Sequence, residues 1–206
     1  MRRWACKTPG VFIANVDAGL ERMVRERLPL PEDIGDVVFD APTSTWSAQL
    51  SRITVSMFLY DVRRSTQPSR SATVRVDGDG RGLRRRPQPM VELAYLVSAW
   101  AGSPRDEHQL LGDLVSMVSG TDTVPPEMFV TAPTTSVTLA TGDDRNLGRE
   151  LWSGIGGGLK ASVSLVATVG ADAFDWQEQA PPVERIAAMA DRMTPDDPRR
   201  LGAGGR

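Results

Sequence analysis

Positions 91, 93, 95, 97 and 99 are Val, Leu, Tyr, Val and Ala, with Glu92 and Ser98 among the residues between them. Apolar residues recurring at a period of two line one face of a β-strand. Pro87-Gln88-Pro89 leads into the run, and a residue that precedes a proline is pushed towards extended geometry, so the chain enters as a strand. This commits the sequence to a sheet. Residues 53–62, ITVSMFLYDV, are rich in β-branched and aromatic side chains and read as a second strand. Ala72 to Val76 reads as a third, closed by the turn-forming Asp-Gly-Asp-Gly at 77–80. Three strands in succession predict an antiparallel meander.

Helical signals stand on either side of the strands. Ile13, Val16, Leu20, Met23, Val24 and Leu28 fall at spacings of three and four, which predicts an amphipathic helix over 11–28 that ends at Pro29 and Pro31. Asn15 or Asp17 would cap a later start. A second helix runs over 103–119: Ser103 is its N-cap, Pro104 its first residue, and Asp106 and Glu107 sit at the positive end of its dipole. Shorter expectations are a β-like run at Val37 to Phe39, a strand over 130–140 broken at Pro133, a helix over 143–156 and a final strand over 159–170. The order predicts an α+β fold, a mostly antiparallel central sheet flanked by helices, and not a βαβ series. Residues 1–10 read as a flexible N-terminus and 11–170 as the folded domain. Residues 171–206 read as an extended C-terminal arm with a helical piece from Val183 to Met193, partly disordered or ordered on assembly.

Composition removes several classes of function. A net charge of −2 gives no general field for nucleic acid or an anionic membrane. No run approaches the roughly 20 apolar residues of a membrane helix, and the start, MRRWACKTPG, has no apolar segment of a signal peptide behind its arginines. Cys6 is the single cysteine, which fits a reducing, cytoplasmic site of synthesis.

Catalytic and metal chemistry find no footing. His108 is the only histidine; an acid–base or ligand role needs partners that the sequence does not space around it. Cys6 is an ordinary thiol with only Lys7 beside it. GIGGGLKAS, at 154–162, fails as a phosphate loop, because Leu159 separates Gly158 from Lys160 and a strand follows where a helix should. It reads as a glycine hinge. The acidic turns at 77–80 and 141–146 lack the spacing of a calcium loop. The expectation is no catalytic residue, no cofactor and no metal.

Arg84, Arg85 and Arg86 stand directly before the apolar strand. As a nucleic-acid patch they lack aromatic neighbours in sequence. As charges that keep an apolar strand from aggregating they are reasonable. As contacts to another subunit they are equally reasonable, since guanidinium forks suit carboxylates at interfaces. Sequence physics leaves these last two readings open.

The central stretch carries a family resemblance. Leu59-Tyr60, the arginine- and proline-containing lead into Leu93, Tyr95 and Leu96, the acidic Glu107 before Leu110, Leu111 and Gly112, and the Leu151-Trp152 pair before the last strand follow one another over about residues 12–170. In combination they resemble the tail-terminator, or cap, proteins of contractile injection systems, the phage-tail-like particles of bacteria. The resemblance implies a non-enzymatic α+β cap domain that forms a homo-oligomeric ring, a hexamer, on the baseplate-distal end of a cytoplasmic particle. There it would bind the last inner-tube and sheath proteins and end polymerisation, with neither nucleic acid nor membrane as partner. An assembly adaptor or chaperone for the same subunits is the competing expectation. Leu59, Tyr60, Leu93, Tyr95, Leu111, Gly112 and Trp152 are then signature core positions. Arg84, Arg85 and Arg86, with Arg63 and Arg64, become contacts to a neighbouring subunit, tube or sheath.

Overall fold

The computed structural model describes residues 11–28, 30–69, 72–142 and 147–179. In chain order its elements are α1 (Val11–Arg27), β1 (Gly35–Val38), α2 (Ser44–Ser47), β2 (Ile53–Arg64), β3 (Thr73–Val76), β4 (Gly82–Arg85), β5 (Met90–Trp100), α3 (Pro104–Ser119), a 3-10 turn (Pro126–Met128), β6 (Thr138–Thr141), α4 (Leu147–Ile155), β7 (Ser162–Gly170) and β8 (Trp176–Glu178). The class is α+β, as the sequence predicts. Cys6, the flexible 1–10 segment and the helical piece at 183–193 lie outside the described residues.

The central sheet has five strands in the order β1-β2-β5-β7-β6. All pairings are antiparallel except β1 with β2. The long alternating strand β5 lies in the middle. Leu93, Tyr95, Val97 and Ala99 point to a face covered by Val16, Leu20, Met23 and Val24 of α1 and by Leu114 and Val118 of α3. Ala94, Leu96 and Ser98, on the opposite face, are buried as well. That face is covered by three tryptophans in a chain: Trp46 of α2 packs edge-on against Trp100 at 5.4 Å, and Trp100 against Trp152 of α4 at 6.3 Å. The Trp152 indole donates to Ser162 Oγ at 3.0 Å, which fixes α4 to the start of β7. A strand covered on both faces tolerates apolar residues at every position, so the alternation in β5 is only partial.

The expected meander is corrected. β2 pairs directly with β5, from Thr54 opposite Trp100 to Arg64 opposite Val91, with a bulge at Tyr60. The chain between them forms a separate hairpin, β3 with β4, to which β8 adds, giving the order β3-β4-β8. All four residues of β3 are exposed, so it has no buried face to hold it in the central sheet. The hairpin turn is fixed by Asp77, whose Oδ1 accepts from the amides of Asp79 (3.0 Å) and Arg81 (2.7 Å), and by Gly80 at φ +78°. β4 escapes a propensity reading because it is Gly-Leu-Arg-Arg.

Other boundaries move for local reasons. The strand expected over 130–140 begins only at Thr138; Pro133 cannot donate to a ladder, and Val124 instead takes the carbonyl of Val137 at 2.9 Å. Asn15 and Asp17 are not caps. α1 already starts at Val11, Asn15 bonds the backbone of Thr131 in both directions, and Asp17 accepts from Tyr95. Ser103 does cap α3, accepting from Asp106 N at 3.3 Å. α4 gives way to the left-handed Gly156 at φ +71° before β7 begins.

Candidate functional site

The arginine triplet is part of the small sheet. Arg84 and Arg85 occupy the end of β4, and Arg86 follows. Successive strand residues face opposite ways. Arg85 lies opposite Thr73 and Trp176, while Arg84 lies opposite Val74 and Gln177. Arg84 and Arg86 are exposed, whereas the Arg85 side chain is only 13% exposed.

The aromatic companions that the local sequence lacks arrive from far downstream. The Arg75 guanidinium stands 4.3 Å from the centroid of the Trp176 ring, and that of Arg85 stands 5.2 Å from it. Arg86 lies over Phe174 at 4.4 Å. Such cation–ring contacts contribute roughly 0.5–1 kcal/mol at exposed sites. The only early signal was the period-two pair Phe174 and Trp176 in a stretch that reads as a tail. Gln88 holds this segment in place. Its Nε2 donates to the carbonyl of Phe174 at 2.8 Å and its Oε1 accepts from the same residue's amide at 3.0 Å. Asp172, at φ +50°, brings a carboxylate oxygen to 3.9 Å from Arg85.

Arg85 and Arg86 both line an open cleft of about 720 Å³ where the small sheet meets the 133–136 segment. Arg63 is engaged elsewhere: its Nε donates to Glu92 Oε2 at 2.8 Å, and Ser65 Oγ donates to the other oxygen at 2.7 Å. These two hydrogen bonds, Ser65 first, hold the Glu92 carboxyl below its usual range, and the Glu92 contact raises Arg63 above its own. Arg64 is exposed at the end of β2. The five arginines therefore divide into a cleft pair, an ion-paired Arg63, and two exposed surface residues, Arg64 and Arg84.

The signature residues occupy more than one environment. Leu93, Tyr95 and Trp152 are fully buried, and Leu59 and Leu111 pack against the core from partly buried positions. Tyr60 shares a 2.9 Å hydrogen bond with Ser164 Oγ. Gly112 is not a core residue. It is exposed on α3, and a β-carbon there would meet nothing within 4 Å. Tyr95 reaches across the core to donate to Asp17 Oδ1 at 2.7 Å. Burial, and then the Asp17 charge, push the Tyr95 hydroxyl well above its ordinary pKa. Burial likewise raises Asp17, partly offset by the hydrogen bond from Tyr95.

His108 is exposed. Its neighbour Glu107 pairs with Lys160, whose ammonium lies 4.3 Å from the Trp100 ring centroid. Among the described residues there is no group of three or more His, Cys, Asp or Glu arranged to hold a metal ion, and no helix long and apolar enough to cross a membrane.

Known proteins give the comparison its frame. Residues 15–185 match the family described as Pvc16 N-terminal domain. Two solved structures are similar. One is the sheath/tube terminator, in the extended state, of the extracellular contractile injection system PVC, at 20% identity and a TM-score of 0.63; the alignment covers 94% of this chain and 68% of that one. The other is the tube-terminating cap of the anti-feeding prophage, at 16% identity and a TM-score of 0.55, covering 85% of this chain and 60% of that one. No curated protein matches the sequence.

Proposed function

The chain belongs to the Pvc16 N-terminal domain family, and from that premise we propose that it is a structural terminator of a contractile injection system. It forms a closed ring, a hexamer, on the baseplate-distal end of the particle. It seats on the last inner-tube layer, holds the last sheath layer and stops both from growing. The observation that carries the reading is the likeness of the α+β fold, over 94% of the chain, to a sheath/tube terminator. A ring of identical subunits closes through heterologous contacts, in which one surface of each copy meets a different surface of the next. Arg84, Arg85, Arg86, Arg63 and Arg64 supply contact to acidic groups on a neighbouring subunit, tube or sheath. No bond-making chemistry is required of the chain.

The test is reconstitution. Purified chain added to polymerising inner tube is expected to give tubes of limited length, with ring density at one end in electron micrographs. Finished particles should contain it in a fixed ratio. A chain that stays monomeric in the presence of tube and sheath, with tube lengths unchanged, refutes the terminator reading. Its absence from finished particles that nevertheless need it for assembly would identify an adaptor or chaperone.

A further inference from the structure

We infer that the cleft between the small sheet and the 133–136 segment, together with the free edge of β3, is a docking site for an extended, acidic polypeptide segment. Two independent features point there. The first is the lining. The residues around the cleft include two arginines, several hydroxyl side chains and a glutamine, but no carboxylate. Two polar atoms belonging to lining residues, Arg85 Nε and Thr134 Oγ1, are buried and have no hydrogen-bond partner among the described residues. A buried donor without a partner destabilises the fold that holds it, and guanidinium plus hydroxyl is a donor set that matches an anionic oxygen. The Asp172 oxygen stands 3.9 Å from Arg85 Nη1, beyond ordinary hydrogen-bond length, and leaves Arg85 Nε unmatched.

The second feature is the strand. β3 lies at the edge of its sheet and, among the described residues, pairs with β4 alone. Its side chains are exposed, Val74 at 59% and Val76 at 67%. An unpaired edge is a template for an added strand. Thr73, the first residue of β3, also lines the cleft, so edge and cleft are continuous. A segment that lies along β3 sets alternate side chains on one face, apolar ones against Val74 and Val76 and a carboxylate where β3 meets Arg85 and Arg86. A volume of about 720 Å³ suits several side chains, and the lining offers no aromatic ring on which a base would stack. Polypeptide carboxylate is therefore preferred to a phosphate or a nucleotide.

The inference deepens the terminator reading, since it gives the arginines a partner of stated chemistry, but its test needs neither tube nor sheath. The full chain, labelled with 15N, is titrated with an acetylated and amidated peptide of alternating Val and Glu, with its Val–Lys counterpart, and with inorganic phosphate. The Val–Glu peptide is expected to shift the amides of 73–76 and 134–136 in a saturable way, and the other two are not. Thr134→Val should weaken it about tenfold, the loss of one charge-assisted hydrogen bond, and Arg85→Gln should abolish binding. If Arg85→Gln disturbs the dispersion of the spectrum, the Thr134→Val result decides alone. Equal binding of the lysine peptide, saturation by phosphate at the same resonances, or no binding at all overturns the inference. A chain that terminates tubes but ignores the peptide refutes only this site. A chain that binds the peptide but leaves tube length unchanged refutes only the terminator reading.

Discussion

Tyr95→Phe removes one oxygen from the centre of the molecule, and its cost follows from what that oxygen does. Tyr95 is fully buried on β5 and donates at 2.7 Å to Asp17 on α1, which among the described residues is the side-chain hydrogen bond that ties this helix to the middle strand. A hydrogen bond to a charged acceptor contributes roughly 1.5–3 kcal/mol, and the phenylalanine ring fills the same space, so the expected loss at pH 7 is about 2 kcal/mol. With Asn at position 17 the acceptor is neutral, and the same Tyr95→Phe change should cost only about 1 kcal/mol. The coupling energy of the cycle is then about 1 kcal/mol. The pH dependence has a defined sign. Burial raises the Asp17 carboxyl in the folded state above its ordinary value. Its ionisation contribution therefore favours folding below the unfolded value and is lost as pH rises through the folded one. Aspartate at 17 should thus fall behind Asp17→Asn as pH rises from 3 to 7. The cost of Tyr95→Phe should grow over the same interval, because the bond to a carboxylate is stronger than the bond to a protonated acid. Urea unfolding followed by circular dichroism, on the four variants at pH 7 and at pH 3, measures all of these quantities. A Tyr95→Phe cost that is the same in both backgrounds and at both pH values would refute the reasoning.

Four further outcomes are expected. Gly35→Ala places a β-carbon 2.7 Å from the carbonyl oxygen of Ile53, so β1 must separate from β2; thermal melts should show a loss of about 2 kcal/mol or more, and an unchanged melting point would count against the parallel pairing. Glu92→Gln removes a carboxyl held below its usual range by Ser65 and Arg63. The wild-type advantage should be present above the unfolded glutamate value and vanish as pH falls through the lower folded one, which a pH series of melts will show. Arg84→Glu changes an exposed residue and should abolish tube termination while leaving the melting temperature within a few degrees. Arg85→Glu should do both kinds of damage, since Arg85 is packed over Trp176.

The sequence made the central sheet legible where a strand had one strongly patterned or continuously apolar face. β2, β5 and β7 are of that kind. So are α1, by its spacing, and α3, by Ser103 and Pro104. What escaped was structure stabilised by distant partners. β4 carries two arginines and becomes a strand only between β3 and β8. The grouping of Arg75, Arg85, Trp176 and Phe174 needs residues from the middle and the end of the domain's sequence. Thr43 caps the short α2 on a helix too brief to show periodicity. Gly112, placed with the core by family resemblance, is on the surface because a motif conveys order along the chain and not the direction a helix face takes.

The small sheet also sets an order of events during synthesis. Arg85 pairs with Trp176, and the gap between them is 176 − 85 = 91 residues. At a translation rate of about 5–20 residues per second, the β3–β4 hairpin emerges roughly 5–20 seconds before the strand that completes it. A two-stranded hairpin without a buried face has little stability of its own. Until Gln88 has captured Phe174, no stacked surface exists for Arg85 and Arg86. The face proposed to meet other subunits is therefore among the last parts of the domain to form, and a nascent chain from which β8 has not yet emerged, even one with its central strands β2 and β5 already paired, does not display it. Emergence of β8 thus acts as a licence for the proposed assembly.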